Sequence, residues 1–260
     1  MNILESVILG IIQGLTEFIP VSSSAHLALT QHFMGLENTH DNVLFVIILH
    51  IGSLAAILAY FWQDFWQLFT SRLYELKYLV VGTIPAAVLG LIFQHTIEAS
   101  FGNMVAICFF LILTGTFLHF AGRLSRERIG LQDAGTGKIL LIGLAQAFAM
   151  FPGLSRSGLT IGTGLLGGIR REESVRFSFF LGAVAIAGAS ILKLKDFSAS
   201  QASIGILPII VGAIVSFLVS LFAIRVVMFL VQQARIGWFA LYCGFVGWIL
   251  VVLFSTGLLG

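Results

Sequence analysis

Long apolar segments that are almost free of charge constrain this chain more than any other feature. A bilayer core of about 30 Å is crossed by roughly 17–25 helical residues. Six segments approach or reach that length: Val43–Trp62, Tyr78–Phe93, Asn103–Ala121, Phe177–Leu194, Ile204–Ile224 and Trp238–Phe254. Only 10% of the residues are charged, against about 25% in soluble domains. The sequence therefore predicts an all-α polytopic membrane protein that forms one integral membrane domain over residues 1–260.

Two further apolar regions are interrupted near their middles. Ile3–Met34 is broken by Ile19-Pro20-Val21-Ser22-Ser23-Ser24, and Ile139–Ile169 is broken by Pro152-Gly153-Leu154-Ser155-Arg156-Ser157. Each half is too short to span a bilayer alone. Broken helices at membrane depth occur where the backbone lines a cavity or is buried in protein. Both regions are therefore predicted to be re-entrant helical hairpins that enter and leave on one side.

The basic residues support this topology. With six spans and two hairpins, one side of the membrane receives eleven basic residues and the other receives only Lys193 and Lys195. The eleven are Arg72, Lys77, Arg123, Arg126, Arg128, Lys138, Arg170, Arg171, Arg176, Arg225 and Arg235. Because cytoplasmic loops carry the excess of Lys and Arg, both termini are predicted to lie outside. The sequence has no dense block of Lys and Arg, so nothing in it indicates a nucleic-acid partner.

The two broken regions resemble each other, which indicates an internal repeat. Gly10-Ile11-Ile12-Gln13 matches Gly143-Leu144-Ala145-Gln146, and a proline and a serine cluster follow each. The four prolines pair in the same way, Pro20 with Pro85 and Pro152 with Pro208, because each pair begins at a broken region and ends on a later span. An odd number of spans between the halves predicts inverted repeats over residues 1–121 and 138–254, with a site at their interface. The alternative is chance similarity between short apolar stretches.

The first polar cluster combines an acid with hydroxyls and a histidine. Gln13 and Glu17 are four apart, so they share a helix face. A lone charge at membrane depth costs at least about 2.5–3.5 kcal/mol, so Glu17 needs a cation, a proton or a metal. A serine near His26 is the minimal activated nucleophile. The alternatives are a protonated structural Glu17 and serines that only cap a helix.

The second cluster, Pro152–Thr160, has the composition of an anion site. A fresh helix start presents free N–H groups and a favourable dipole. Arg156 adds a planar fork that matches phosphate oxygens. The alternative is an Arg156–Glu17 salt bridge that only ties the repeats together.

At these clusters the chain resembles the undecaprenyl-pyrophosphate phosphatase family, also called the bacitracin-resistance (BacA/UppP) family. The resemblance covers nearly the whole chain and includes Arg176-Phe177-Ser178-Phe179. It implies hydrolysis of undecaprenyl pyrophosphate to the monophosphate, which recycles the cell-wall lipid carrier and confers resistance to bacitracin. It also implies a divalent cation, Mg²⁺ or Ca²⁺, and a site open to the outer, periplasmic face of the plasma membrane. A homodimer is left open.

The resemblance assigns roles residue by residue. Ser23 is the candidate nucleophile, with His26 as its base or as a competing nucleophile, and water as a third candidate. Glu17 is the acid–base or metal-binding group, and Gln13 joins it in binding the pyrophosphate. The phosphate clamp is made of Arg156, Ser155, Ser157 and Thr160.

Three positions depart from the family pattern. Gln13 stands where many members have Glu, which removes one candidate metal ligand. Ser24-Ala25 replaces the usual Thr-Gly, so the turn must form without the freedom of glycine. Leu181-Gly182-Ala183-Val184-Ala185 lacks the proline often found there. The rival function is a transporter of polyprenyl phosphate, because inverted repeats with broken helices are equally typical of transporters.

Overall fold

The chain is helical in a computed structural model, which describes residues 1–36, 40–195 and 205–259. Within those residues there are twelve α-helices and a 3₁₀ turn at Leu131–Asp133. The helices are α1 (Ile3–Thr16), α2 (Ser23–Phe33), α3 (His40–Tyr60), α4 (Trp62–Leu68), α5 (Leu73–Ile92), α6 (Gln94–Ser100), α7 (Met104–Leu124), α8 (Gly135–Phe148), α9 (Arg156–Leu166), α10 (Arg171–Lys195), α11 (Ile206–Gln232) and α12 (Ile236–Ser255). The predicted all-helical class is confirmed for this part of the chain.

Six of these helices, α3, α5, α7, α10, α11 and α12, are long and apolar enough to cross a membrane. They coincide with the six predicted spans, so the chain is a multi-pass membrane protein. Three boundaries were placed too conservatively: α5 begins at Leu73 rather than Tyr78, α10 begins at Arg171 rather than Phe177, and α11 continues to Gln232 rather than Ile224. The prediction stopped at charged residues, but charges at helix ends are tolerated where they are paired or solvated. The predicted start at Ile204 lies outside the described residues.

Both interrupted regions form two short helices, and the two breaks are built alike. Helices α1 and α8 have 14 residues each, and α2 and α9 have 11 residues each. A serine caps each second helix: Ser22 Oγ accepts the N–H of Ala25 at 3.3 Å, and Ser155 Oγ accepts the N–H of Gly158 at 3.1 Å. These bonds satisfy N–H groups that have no partner within the helix.

Ion pairs at one end of the molecule connect α4 and the start of α5 to the first part of α10. Arg176 Nη2 donates to Glu75 Oε1 at 2.6 Å, and Arg72 Nη1 donates to Asp64 Oδ1 at 2.9 Å. Arg176 Nη1 also lies 3.6 Å from Asp64 Oδ1. We call this end, marked by Asp64, Arg72, Glu75 and Arg176, the basic end. The buried Glu75 carboxylate is tolerated there because two guanidinium groups surround it.

The opposite end gathers different segments. Lys193, near the end of α10, pairs with Glu98 of α6. The His32 ring of α2 lies 5.4 Å, between ring centroids, from Phe254 near the end of α12. Helix α10 therefore runs from the basic end to this one, and α2 finishes beside the end of α12.

Glycines let the short helices approach the long ones closely. A Cβ at Gly10 would lie 3.0 Å from the Gly212 carbonyl oxygen, and one at Gly14 would lie 2.8 Å from that of Ser216, so α1 packs parallel to the first half of α11. A Cβ at Gly143 would lie 2.5 Å from the Gly82 carbonyl oxygen, so α8 packs on α5. Small residues at such contacts allow the backbones to meet. Helix α7 packs on α12, and α3 packs on α10.

One detail of the sequence interpretation changes. Pro85 lies inside α5, whereas Pro208 lies in the first turn of α11, so they are not equivalent positions. Cys108 and Cys243 are free and buried, as their apolar context predicts, and Cys243 Sγ lies 3.6 Å from the carbonyl oxygen of Pro20.

The tight α5–α8 contact predicts that Gly143→Ala destabilises the protein by about 1–3 kcal/mol, because the new methyl group must push two backbones apart. The matched control is Gly137→Ala in the same helix, where a Cβ meets no atom within 4 Å. That variant should stay within about 1 kcal/mol of the parent protein. Denaturant unfolding in detergent measures both, and equal stabilities for the two variants would contradict the close-contact account.

Candidate functional site

A buried ion pair joins the two helix breaks. Glu17 follows α1 directly and is 5% exposed, and Arg156 is the first residue of α9. Arg156 Nη2 donates to Glu17 Oε1. The two polar clusters of the sequence are therefore in direct contact, and the salt bridge that the sequence left as an alternative is formed.

The second carboxylate oxygen of Glu17 gathers three more side chains. Oε2 accepts from Ser23 Oγ at 2.7 Å and from Gln13 Nε2 at 3.0 Å. His50 Nε2, from α3, lies 3.6 Å from the same oxygen. A carboxylate offers about four acceptor positions, so donors occupy Glu17 on nearly every side. This environment favours a charged Glu17 over a protonated structural one.

His26 does not contact Ser23 in this arrangement. Its Nδ1 lies 2.8 Å from the Ser22 carbonyl oxygen, and its Nε2 lies 2.8 Å from Tyr242 Oη. Because a carbonyl oxygen only accepts, Nδ1 carries a hydrogen, and in a neutral ring Nε2 accepts from the tyrosine hydroxyl. Tyr242 also stacks on the imidazole, with ring centroids 5.8 Å apart. The hydroxyl of Ser23 donates to Glu17 instead, so Glu17 is the hydrogen-bond partner that was expected to be His26.

The first break contains a strained residue. Ser22 has φ +70°, a conformation that is uncommon outside glycine. Such strain persists where surrounding bonds fix it, and here the Ser22 hydroxyl caps α2 while its carbonyl oxygen faces His26. Ala25, which replaces the family's usual glycine, lies inside α2. That departure therefore carries no conformational cost.

The three hydroxyls assigned to the phosphate clamp beside Arg156 face the protein interior. Ser155, Ser157 and Thr160 are each at most 2% exposed. Ser155 caps α9 and lies 3.3 Å from the Ser157 hydroxyl, and Thr160 Oγ1 lies 2.6 Å from Ser178 Oγ. In this arrangement these bonds secure the start of α9, and the guanidinium of Arg156 is the part of the clamp that reaches the cluster.

Gly182 of α10 provides the seat of Arg156. A Cβ at this position would overlap the guanidinium group. The family-like stretch that precedes it is also accounted for, because Arg176 belongs to the basic end, Ser178 contacts Thr160, and Phe179 packs edge-on against Phe18 at 5.1 Å between ring centroids. Helix α10 thus contacts residues of both helix breaks.

Sequence reasoning missed several polar residues near the site. Tyr242 gave no signal beyond an aromatic on a span. The serines Ser53, Ser216 and Ser220, which lie behind Gln13, did give one: Ser216 and Ser220 are four apart on an apolar helix. Polar residues with that spacing are typical of interhelical hydrogen bonds in membranes.

The oxygen atoms near Glu17 fit a hard divalent cation. Gln13 is fully buried, and its Oε1 has no hydrogen-bond partner among the residues described. Carboxylate and amide oxygens are the ligands that Mg²⁺ and Ca²⁺ prefer. Within residues 1–36, 40–195 and 205–259, no three His, Cys, Asp or Glu side chains form a metal-binding group. Any cation would therefore need further oxygens from a bound ligand or water.

Together these features define a polytopic membrane protein with a charged site between two broken helices. The family model described as bacitracin resistance protein BacA matches residues 6–249, and the chain belongs to that family. An undecaprenyl-diphosphatase of Moorella thermoacetica is 38% identical over 94% of both chains. Proteins of the same name from Rhodopirellula baltica and Methanosphaera stadtmanae are 38% and 33% identical, each over 97% of this chain and 98% of the relative.

The buried ion pair predicts that Arg156→Ala lowers the free energy of unfolding by about 3 kcal/mol, because the Glu17 carboxylate loses the positive charge of the guanidinium group. Removing the charge as well, in Glu17→Gln/Arg156→Ala, should recover more than half of that loss. Denaturant unfolding of the three proteins in detergent gives the comparison. A double variant less stable than Arg156→Ala would show that the two residues do not stabilise the fold as a pair.

Proposed function

We propose that this chain hydrolyses undecaprenyl pyrophosphate, or a polyprenyl pyrophosphate of that class, to the lipid monophosphate and inorganic phosphate. Its family and the names of its relatives support this activity. The observation that carries the proposal is the joining of Ser23, Glu17 and Arg156 in one cluster. A hydroxyl nucleophile, a carboxylate and a guanidinium are the groups that phosphoryl transfer requires.

The bond between Ser23 and Glu17 suggests how the reaction begins. Ser23 Oγ attacks the terminal phosphorus, and its proton passes to Glu17 Oε2, which lies 2.7 Å away. The bond between that phosphorus and the bridging oxygen breaks, and the lipid monophosphate leaves. Water then attacks the phosphorus of the phosphoserine, and the bond between that phosphorus and Ser23 Oγ breaks. Glu17 returns its proton to Ser23 Oγ, and inorganic phosphate leaves with both hydrogens of the water, so atoms and protons balance over the two steps.

Charge stabilisation falls to Arg156 and the helix starts. When Glu17 takes the proton it loses its charge, which weakens its hold on the guanidinium and frees Arg156 for the phosphate. The first N–H groups of α2 and α9 add favourable dipoles for an anion. Donors placed where charge develops usually supply the largest part of catalysis, and losing one costs about 10²–10³ in rate.

His26 remains a candidate nucleophile only if its Nε2 leaves Tyr242. Its present contacts suit a positioning role, in which the imidazole holds the Ser22 carbonyl oxygen and so the start of α2. Water is the third candidate. The Ser23→Ala experiment below separates a serine nucleophile from the other two.

We also propose a divalent cation, Mg²⁺ or Ca²⁺, held by Glu17 and Gln13 Oε1. When bound, it neutralises negative charge on the pyrophosphate. Gln13 in place of the family's usual Glu leaves one fewer carboxylate, so we expect weaker binding of the free cation than in relatives that carry both acids.

The inverted repeat and the re-entrant hairpins belong to the same proposal. Support comes from the equal helix lengths at the two breaks and from the exchanged packing, α1 on α11 and α8 on α5. Helix α1 ends beside Ser216, near the middle of α11, and α2 returns to the end marked by Phe254. A hairpin that enters and leaves on one side accounts for both contacts.

We further propose the orientation and the cellular role. The basic end faces the cytoplasm, the termini lie outside, and the site opens to the outer face, where the lipid carrier is recycled for cell-wall synthesis. That role accounts for resistance to bacitracin. A homodimer is kept as a proposal, which light scattering of the purified protein measures.

The rival proposal, a transporter for polyprenyl phosphate, is not favoured. A pure binding site has no need of a hydroxyl bonded to a carboxylate, as Ser23 is to Glu17. Inverted repeats alone are compatible with either activity.

The serine mechanism predicts that Ser23→Ala lowers phosphate release from a polyprenyl pyrophosphate by at least about 10³-fold, because the nucleophile is lost. The assay uses purified protein in detergent, with and without a chelator, and the chelator should abolish the activity of the parent protein. Ser24→Ala is the control, since Ser24 contacts Ser22 instead of Glu17, and should retain most activity. Near-normal release by Ser23→Ala would assign the attack to His26 or water.

The seat of Arg156 predicts that Gly182→Ala lowers kcat/KM by about 10²-fold, because the methyl group displaces the guanidinium. Gly188→Ala in the same helix is the matched control, since a Cβ there meets no atom within 4 Å. Arg156→Lys keeps the charge but loses the fork, and should be impaired at least as strongly. Equal activity in the two glycine variants would rule out this seat as a requirement for catalysis.

A further inference from the structure

Three buried serines lie behind Gln13, on the side away from Ser23 and Arg156. Ser53 belongs to α3, and Ser216 and Ser220 belong to α11. All three are fully buried. Ser53 Oγ lies 3.4 Å from Gln13 Nε2, 3.1 Å from Ser216 Oγ and 3.0 Å from Ser220 Oγ. We call these three residues the serine cluster.

The direction of each hydrogen bond in the cluster follows from counting hydrogens. Ser216 donates its only hydroxyl hydrogen to the Leu49 carbonyl oxygen at 2.7 Å, so Ser53 must donate to Ser216. Ser220 donates to Ser53. A serine hydroxyl has one hydrogen and two acceptor positions, so the second acceptor position of Ser53 takes the N–H of Gln13. Every position of Ser53 is then in use.

This count fixes the amide of Gln13 in one orientation. Both hydrogens of Nε2 are used, one on Ser53 and the other on Glu17 Oε2 at 3.0 Å. Turning the amide over would place Oε1 against a carboxylate oxygen and against a serine that has no hydrogen to give. Oε1 must therefore point away from both partners, where it is buried and has no partner among the described residues.

A buried carbonyl oxygen without a partner costs about 1–3 kcal/mol, and a free amide would rotate to avoid that cost. Glu17 Oε2 and the serine cluster together prevent the rotation. A carbonyl oxygen accepts a hydrogen bond or binds a cation, and we take the ligand of Oε1 to be a divalent cation or a water molecule bound to it.

We propose that the serine cluster is a positioning unit that locks the Gln13 amide and so presents Oε1 to an electropositive ligand of the reaction. The inference rests on the proposed function, since it assigns the cluster a part in that hydrolysis. Ser53 acts through Gln13 and touches neither substrate nor cation.

The first experiment is a double-mutant cycle on kcat/KM for phosphate release. Ser53→Ala should lower it by about 10–100-fold, the usual effect of losing a residue that orients a ligand-binding group. In a Gln13→Leu background the same change should cost less than about twofold. Ser6→Ala is the matched control, because Ser6 is a fully buried serine of α1 whose hydroxyl bonds to a backbone oxygen.

The cycle separates positioning from simple structural support. If Ser53→Ala lowers kcat/KM by the same factor in the parent protein and in the Gln13→Leu background, the proposal is overturned. Where Ser53→Ala does not fold, Ser216→Ala takes its place, because it frees the Ser53 hydrogen to donate to Oε1 and so removes one of the two contacts that hold the amide in its orientation. Absence of phosphate release by the parent protein would refute the proposed function itself, whereas an additive cycle refutes only this inference.

A second readout needs no turnover. Electron paramagnetic resonance measures Mn²⁺ bound to the protein with a prenyl methylenediphosphonate, which cannot be hydrolysed at its carbon bridge. Weaker Mn²⁺ binding in both Ser53→Ala and Gln13→Leu, with Ser6→Ala unchanged, supports Oε1 as a cation ligand. Unchanged Mn²⁺ binding together with a coupled loss of kcat/KM supports a bound water instead. Weaker binding in Ser53→Ala alone contradicts action through Gln13.

Discussion

A carboxylate held charged within an apolar helical protein is the constraint on which this site depends. Glu17 is tolerated because four side chains from four helices or breaks converge on its two oxygens, with Arg156 contributing the compensating charge. Three of these donors, Gln13, Ser23 and Arg156, belong to short helices that end or begin at the two breaks, so they reach Glu17 from different directions. The breaks are therefore a requirement of the charge, since an uninterrupted helix would leave Arg156 and Ser23 on separate surfaces.

The packing of the long helices serves the same end. Glycine contacts bring α1 against α11 and α8 against α5, so each short helix is held along its length by a spanning helix. Gly182 of α10 then leaves room for the guanidinium, and Phe179 of the same helix supports Phe18 beside Glu17. The positions of the helices that carry the site residues are thus fixed by close backbone contacts, which change little with side-chain motion.

Much of the architecture was predictable, because hydropathy and helix breakers act locally. The six spans, both breaks and the meeting of Glu17 with Arg156 follow from apolar length, from Pro20 and Pro152, and from the cost of an unpaired charge. Helix ends were less predictable: Arg176 looked like a loop residue, yet it lies inside α10, since Glu75 and Asp64 neutralise it. That pairing is a tertiary contact between distant segments, which periodicity does not report.

The hydrogen-bond partners at the site could not be predicted from the sequence. The family resemblance suggested His26 as the base for Ser23, but the two side chains, three residues apart at the start of a helix, point to different partners, Glu17 and Tyr242. The Thr160 hydroxyl points inward because it bonds to Ser178, which belongs to a different helix, α10. Hydrogen-bond direction is a property of the assembled interior. Sequence therefore indicates which residues are polar at depth, whereas folding decides which of them remain free to meet a ligand.

The matching caps of α2 and α9 have one more consequence. Ser23 follows the capping residue Ser22, and Arg156 follows the capping residue Ser155, so a hydroxyl and a guanidinium stand at corresponding places on two similar supports. Two helix starts with the same kind of cap hold these side chains in similar ways, and the side chains themselves differ. One start carries a hydroxyl and the other carries a positive charge, so two similar supports bring unlike groups to the same carboxylate.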